Sequence, residues 1–278
     1  MTTPQREHTP QEKARLAAIR KTWQQRRTIT QNLSRIKTKI AVYSGKGGVG
    51  KTTVSVNLAT TLAQQGNTVG LLDVDIDCPN VTKVMGIIDP PTHIHGKLIP
   101  SERFGVKVIS MGFFQQKEDE AIIWRGPMVH NAINQFLQLT EWGDLDYLVV
   151  DLPPGTSDSP LTVMQTLPLE GFIMVTTPQM LAQLDAKRSI NMVRKLNIRV
   201  LGVVENYTGE IFGQGGGLSL SNELGIPFLG SMALRSDYRD ESKPTVLTST
   251  AVREEYELLV KGLQSHLESP TDTGDIPK

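Results

Sequence analysis

Residues 44–53 read SGKGGVGKTT, and within them GKGGVGKT (45–52) fits the pattern G-x-x-x-x-G-K-[ST]. A strand-like run, IAVYSG (40–45), precedes it, and a helical pattern, 51–65, follows and stops before Gly66. This is the setting of a phosphate-binding loop. Gly45, Gly47, Gly48 and Gly50 let the backbone curl until its N–H groups face an anion. The start of the following helix adds partial positive charge. Lys51 is placed for β- and γ-phosphates, and the Thr52 hydroxyl for Mg²⁺. The chemistry needs one lysine, and the stretch carries a second, Lys46.

Outward from the loop, VGLLDVD (69–75), VKVISM (106–111), YLVVDL (147–152), GFIMVTT (171–177), RVLGVVEN (199–206) and IPFLG (226–230) read as strands. Residues 127–140, 179–196 and 250–266 read as helices, with a short one after Pro79. Near-continuous apolar strands separated by helices predict an α/β fold, a doubly wound, mostly parallel sheet covered on both faces. Asp151 closes YLVVD, where a carboxylate holds a magnesium shell, and PPGTSD (153–158) follows as a loop beside the γ-phosphate. Asp73, Asp75 and Asp77 alternate at the end of the predicted 69–75 strand, so they point the same way, suited to metal-shell or water-positioning work.

The 278 residues suit one large domain, read here as 39–267, behind a basic helical arm (1–38) and ahead of a disordered tail (268–278). Between Arg6 and Lys39 there are ten Lys or Arg against two Glu, a surplus of eight in a chain of zero net charge. The remainder is therefore acidic. Residues 9–38 read as helix, with Leu16, Ile19 and Trp23 at i, i+3, i+7 and Ile29, Leu33, Ile36 and Ile40 continuing the stripe. A solvated helix folded back on its own acidic body is the simplest reading; contact with nucleic acid, an anionic membrane or a partner is the alternative. No apolar run reaches the ~18 residues of a membrane span, and the first residues lack the apolar region of a secretory signal, so a cytoplasmic protein is expected. With Cys78 the only cysteine, an intramolecular disulfide and a thiolate metal cage within one chain are both excluded.

SGKGGVGKTT resembles the deviant Walker A signature of the MinD/ParA/nitrogenase iron-protein class of P-loop ATPases. WRGPMV (124–129), GDLDYLVVDLPPGTSD (143–158), VTTPQ (175–179) and LGVVEN (201–206) resemble one branch of it, the Mrp-type iron–sulfur cluster carrier ATPases, over roughly residues 36–262. The resemblance implies a homodimer that binds ATP and Mg²⁺, hydrolyses ATP slowly and in dimer-dependent fashion, and serves a client such as an iron–sulfur apoprotein or a cluster donor. It implies that Gly45, Lys46, Gly47, Gly48, Val49, Gly50, Lys51, Thr52 and Thr53 wrap the phosphates and that Asn206 hydrogen-bonds adenine. Thr52, Asp151 and Asp75 would hold magnesium directly or through water, and Asp75 would position or activate the attacking water. Lys46 would reach across a two-fold axis to the phosphates of the other subunit. A cation supplied from outside in this way resembles an arginine finger, worth ~10³–10⁵ in rate.

Cluster carriers of this branch place a C-x-x-C pair just beyond the VEN strand, so that two subunits give the four thiolates of a [4Fe–4S] cluster. Here the text runs VVENYTGEIFGQGGG (203–217), without those cysteines. The sequence offers no convincing iron–sulfur ligands. Cys78 reads as a partly buried structural cysteine, and His93 and His95 in PPTHIHG (90–96) as part of a proline-bounded loop. The glycine run 213–217 reads as a mobile linker rather than a site of close backbone approach. The second functional reading is a nucleotide-gated positioning or partner-binding switch of the MinD/ParA kind that carries no cluster.

Overall fold

The computed structural model describes residues 9–114, 126–240 and 242–268. Trp124 and Arg125 of WRGPMV and the tail from residue 269 lie outside them. In chain order the elements are α1 (Pro10–Leu33), β1 (Ile36–Ser44), α2 (Lys51–Gln64), β2 (Val69–Asp73), α3 (Val81–Val84), β3 (Thr92–Ile94), β4 (Lys97–Ile99), β5 (Ser101–Arg103) and β6 (Val106–Ser110). There follow α4 (Gly126–Leu139), β7 (Leu145–Asp151), α5 (Asp158–Thr166), β8 (Gly171–Thr176), α6 (Met180–Lys195), β9 (Val200–Thr208), α7 (Gly216–Leu224), β10 (Phe228–Ala233) and α8 (Thr250–Glu268).

Eight strands form one sheet in the order β10-β9-β8-β1-β7-β2-β6-β5, parallel except for β5 against β6. β1 lies near its middle, between β7 and β8. Successive residues of β1 feed opposite cores, Ile40 and Val42 one and Ala41 and Tyr43 the other. That is why the strand reads as an unbroken apolar run rather than an alternating one. Helices α2 and α8 cover one face through Val54, Leu58, Leu62, Tyr256 and Leu259. Helices α1, α4, α5, α6 and α7 cover the other through Leu33, Ile133, Val163, Ile190 and Leu220. The sheet is doubly wound, as its sequence pattern predicts.

Several local expectations are corrected. β1 starts at Ile36, inside the stretch read as helix, because Ile36 and Thr38 pair with Leu145 and Tyr147 of β7. The end of α1 packs on the body: Ile29 and Leu33 are buried, and Asn32 Nδ2 donates to the carbonyls of Leu137 and Gln138. Leu16, Ile19 and Trp23 stay exposed, Trp23 at 72%, so this part of the helix does not fold back. Among the described residues, the basic side chains that meet the acidic body are those at the arm's base, Arg35 on Asp144 (2.8 Å), Lys37 on Asp146 (2.8 Å) and Lys39 on Glu170 (3.0 Å).

PPTHIHG forms a β-hairpin, β3 to β4, rather than a loop. His95 (φ 49°) and Gly96 (φ 75°) make its two-residue turn, in which both positions need positive φ. The glycine run is no linker. Gly209 and Gly213 exchange both backbone hydrogen bonds (3.0 and 2.7 Å), and the buried Glu205 carboxylate accepts the N–H groups of Gly215 and Gly217, each at 2.8 Å. A β-carbon on Gly217 would lie 2.8 Å from Glu205 Cβ, so the run is a site of close approach. Among the described residues no helix is long and apolar enough to cross a membrane.

Candidate functional site

The loop of residues 45–50 leaves the carboxyl end of β1 and turns into α2, the end of a doubly wound sheet where ligands bind. Its path is set by contacts that tolerate no β-carbon. One on Gly45 would sit 2.3 Å from the carbonyl carbon of Asp185 in α6. One on Gly50, in the left-handed region at φ 81°, would sit 2.2 Å from Asn206 Nδ2. Asn206 itself, buried at the end of β9, donates from Nδ2 to the Val49 carbonyl (2.9 Å). The PPGTSD loop packs beside it: the Gly155 N–H donates to the Ser44 carbonyl (2.9 Å), and Tyr43 donates to the Gly155 carbonyl.

Lys51 Nζ is buried and lies 2.9 Å from Asp151 Oδ1 and 3.6 Å from Asp75 Oδ2. Burial opposes its charge, but Asp151, Asp75 and Asp73 outweigh that cost and hold the ammonium above its ordinary range. Asp151 also accepts from Thr52 Oγ1 (2.7 Å) and from Ser55 Oγ (2.6 Å). Ser55 is a site residue that the sequence reading missed. Its one signal is its place four residues beyond Lys51, one helical turn along the same face of α2. Thr53, also in the first turn, directs its carbonyl to Asn57 Nδ2 (2.9 Å).

The three aspartates do not line one strand face. β2 ends at Asp73, whose Oδ1 accepts the Asp75 N–H (3.0 Å) and turns the chain out of the sheet. Asp73 stands beside Asp151 in the β2–β7 register and is fully buried. Burial, reinforced by Asp151, pushes its carboxyl well above the usual range. Asp75 is buried beside Lys51; burial raises its pKa against the opposing pull of Lys51 and the Cys78 N–H. Asp77 is exposed, and so is Cys78, contrary to the structural role expected for it, because both sit in the turn beyond the strand. His93 and His95 are exposed on their hairpin.

Lys46 is half-buried and, among the described residues, pairs with no carboxylate. It lines a cavity of about 200 Å³ with Val49, Gln179, Tyr207, Phe212 and Leu234. A larger cavity of about 430 Å³, near Lys83 and Arg103, includes no residue of the phosphate loop.

Among the described residues no three His, Cys, Asp or Glu side chains form a metal-holding group. The Thr52 hydroxyl and the Asp151 carboxylate, 2.7 Å apart, are nevertheless the hard oxygen donors that Mg²⁺ takes alongside waters and phosphate oxygens. The site therefore fits a magnesium ion that arrives with a polyphosphate. It does not fit a thiolate cluster, since Cys78 stands alone.

Residues 35–264 match the ParA sequence profile described as NUBPL iron-transfer P-loop NTPase. An iron-sulfur cluster carrier protein of Methanocaldococcus jannaschii is 41% identical over 283 aligned positions, covering 96% of each chain. One from Bacillus subtilis is 48% identical over 219 positions, 74% of this chain and 62% of its own. A nucleotide-binding protein of Archaeoglobus fulgidus, solved in complex with ADP, superposes with a TM-score of 0.69 at 35% identity, over 78% of this chain and 90% of its own. The cell-division ATPase MinD of Pyrococcus furiosus shares the fold, with a TM-score of 0.64 at 20% identity over 82% of this chain and 98% of its own. By the extent of the profile match and the identity to its relatives, the chain belongs to the NUBPL iron-transfer P-loop NTPase family.

Proposed function

We propose that this protein is a Mg²⁺-dependent ATPase that works as a homodimer in iron–sulfur protein maturation. The observation that carries this reading is the group of buried Lys51, Asp151 and Asp75 with half-buried Thr52, packed against a glycine loop at the carboxyl end of the central strand. Residues 45–53 would cradle the phosphates with backbone N–H groups, and Lys51 would exchange its carboxylate partners for the β- and γ-phosphates. Thr52 and Asp151 would hold the magnesium ion, directly or through water, and the ion would supply charge neutralisation between the phosphates. Asp75 is the carboxylate placed to orient the attacking water. Asn206 would turn its amide to adenine. Lys46, with no acidic partner in its own chain's described residues, would reach the phosphates bound by a second subunit.

A second reading is favoured by one observation. The segment between β9 and α7 carries Ile211 and Phe212 and no thiol, and the single cysteine lies elsewhere. On that reading the ATPase is a nucleotide-gated switch for a partner protein and carries no cluster itself.

Two measurements test these readings, the first the ATPase that they share and the second the cargo that divides them. ATP turnover should vanish in Lys51→Ala together with phosphate-dependent binding, whereas Asp75→Ala should keep binding and lose turnover; wild-type rates in Lys51→Ala would refute the ATPase assignment. Anaerobic reconstitution with iron and sulfide, run beside Cys78→Ser, then tests the cargo. Cys78-dependent iron near one cluster per dimer supports a carrier. Iron-free protein with full ATPase activity supports the switch.

A further inference from the structure

The larger cavity, of about 430 Å³, opens where α3, the turn after it, β5 and the segment beyond β10 meet. Pro79, Ile87 and Ile88 give it an apolar side, with Ile88 standing 89% exposed at its mouth. Lys83 and Arg103 give it two cations, and among the described residues no Asp or Glu lines it. The chain beyond its arm is net acidic, so two cations without a carboxylate make a local reversal of charge. Apolar walls of this volume with a few convergent polar groups are those of a small-molecule pocket.

The groups around the cavity are held in place before any ligand arrives. Arg103 is fixed twice: Nη1 donates to the Gly86 carbonyl, and the guanidinium carbon lies 5.0 Å from the centroid of the Phe104 ring. Among the described residues its Nε and Nη2 donate to nothing. Those two groups form the edge that a carboxylate or phosphate meets with two parallel hydrogen bonds. Lys83 is exposed at the end of α3 and, among the described residues, pairs with no carboxylate. Behind the cavity, the buried Asp73 carboxylate accepts the Val81 N–H (3.4 Å) at the start of α3 and the Ser110 hydroxyl (2.7 Å). The Ser110 oxygen accepts in turn from the Gly112 N–H (3.0 Å), and a β-carbon on Gly112 would stand 3.2 Å from Thr82 Oγ1. Both α3 and the turn after β6 are thus anchored from below, which leaves little freedom to be lost on binding.

We propose that this cavity binds a small organic anion, a carboxylate or phosphate ester on a short carbon body. The anionic head meets the free edge of Arg103 and the Lys83 ammonium, and the body lies on Pro79, Ile87 and Ile88. An inorganic ion alone would leave the apolar side uncovered, and a neutral molecule would leave the two cations without a partner. The site is separate from the phosphate loop: no residue of 45–53 lines it, and it shares no lining residue with the cavity beside Lys46. Its occupation therefore needs no nucleotide.

The test follows the isoleucine methyl signals of the full-length protein by NMR, without nucleotide, during titration with four probes: hexanoate, hexyl phosphate, hexanol and inorganic phosphate. The signals of Ile87 and Ile88, assigned through Ile87→Val and Ile88→Val, should shift with hexanoate or hexyl phosphate at millimolar concentration. Ile190, buried under α6, should not respond. The tighter of the two acids identifies the head group. Hexanol, the same body without charge, should bind at least about tenfold more weakly. Arg103→Lys keeps the charge but loses the paired donors, and Lys83→Glu reverses an exposed charge that has no ion pair to lose. Each should weaken binding of the acids at least about tenfold, with the Ile190 signal unchanged as evidence of folding. Unmoved Ile87 and Ile88 signals would overturn the site. Hexanol or inorganic phosphate binding as well as the acids, or wild-type affinity in both charge variants, would overturn the organic anion as its ligand.

Discussion

Gly45 leaves no room for a side chain, because the backbone of Asp185 and Ala186 occupies the space at 2.3–2.6 Å. Gly45→Ala must therefore push the phosphate loop away from α6. It should destabilise the fold by about 1–3 kcal/mol, as overpacking does, and lower ATP turnover by about 100-fold through misplacement of the loop. Near-normal turnover would show that the loop is not held by this contact. Ser55→Ala removes a hydroxyl 2.6 Å from the buried Asp151 carboxylate; denaturant unfolding should report a loss of about 1–3 kcal/mol. The phosphate loop was legible because its spacing is its chemistry. Ser55 was not, since a serine on an apolar helix carries no mark of the carboxylate that it will meet. The three aspartates misled for a related reason. Their alternation predicts a common direction only if the strand continues, and Asp73 ends it by capturing the N–H of Asp75.

At the scale of elements, the arm divides into a docked end and a free one. Leu33 is buried against the body, so Leu33→Ala should cost about 2–5 kcal/mol. Trp23→Ala, in the exposed part, should stay within about 0.5 kcal/mol of wild type. Equal effects in thermal or chemical unfolding would mean that the free end is also packed. The ends of β1 and β7 are joined by Asp146, which binds Lys37 together with the N–H and hydroxyl of Thr68. Those contacts, the Lys37 bond first, hold its carboxyl down to about 2, against 3.8 ordinarily. The folded state thus binds fewer protons than the unfolded one in that interval, and stability rises with pH there. The contribution is complete above pH 3.8 and is lost as pH falls through 2. Asp146→Asn should be less stable than wild type at neutral pH, with the difference shrinking as pH falls from 3.8 and vanishing only below 2. A difference that stays constant with pH would contradict the ion-pair account. The long apolar strands were legible because burial on both faces writes an uninterrupted run. The hairpin β3–β4 and the ordered glycines before α7 were not. Their order comes from a two-residue turn with positive φ and from Glu205, a contact ten and twelve residues back along the chain.

For the whole molecule, the strand order places β1 in the middle of the sheet, so the loop that follows it opens at the carboxyl edge between the two wings of the fold. That architecture could be read from the alternation of strands and helices. The exposed face beside Lys46 could not, because it is assembled from α6, the hairpin after β9 and α7, which meet only in three dimensions. One chain gathers Lys51, Asp75 and Asp151 into a buried group that Thr52 joins from its edge, and leaves Lys46 at the rim. If, as proposed, two copies complete each other, mixing two variants tests it most directly: Lys46→Ala and Asp75→Ala should each be inactive in ATP hydrolysis alone. In the mixed dimer, the site on the Lys46→Ala subunit keeps its own Asp75 and receives Lys46 from its partner. Equimolar mixing should therefore restore about a quarter of wild-type turnover, half of the dimers being mixed and each carrying one intact site. No recovery on mixing, with both variants shown to bind ATP, would contradict a lysine acting in trans.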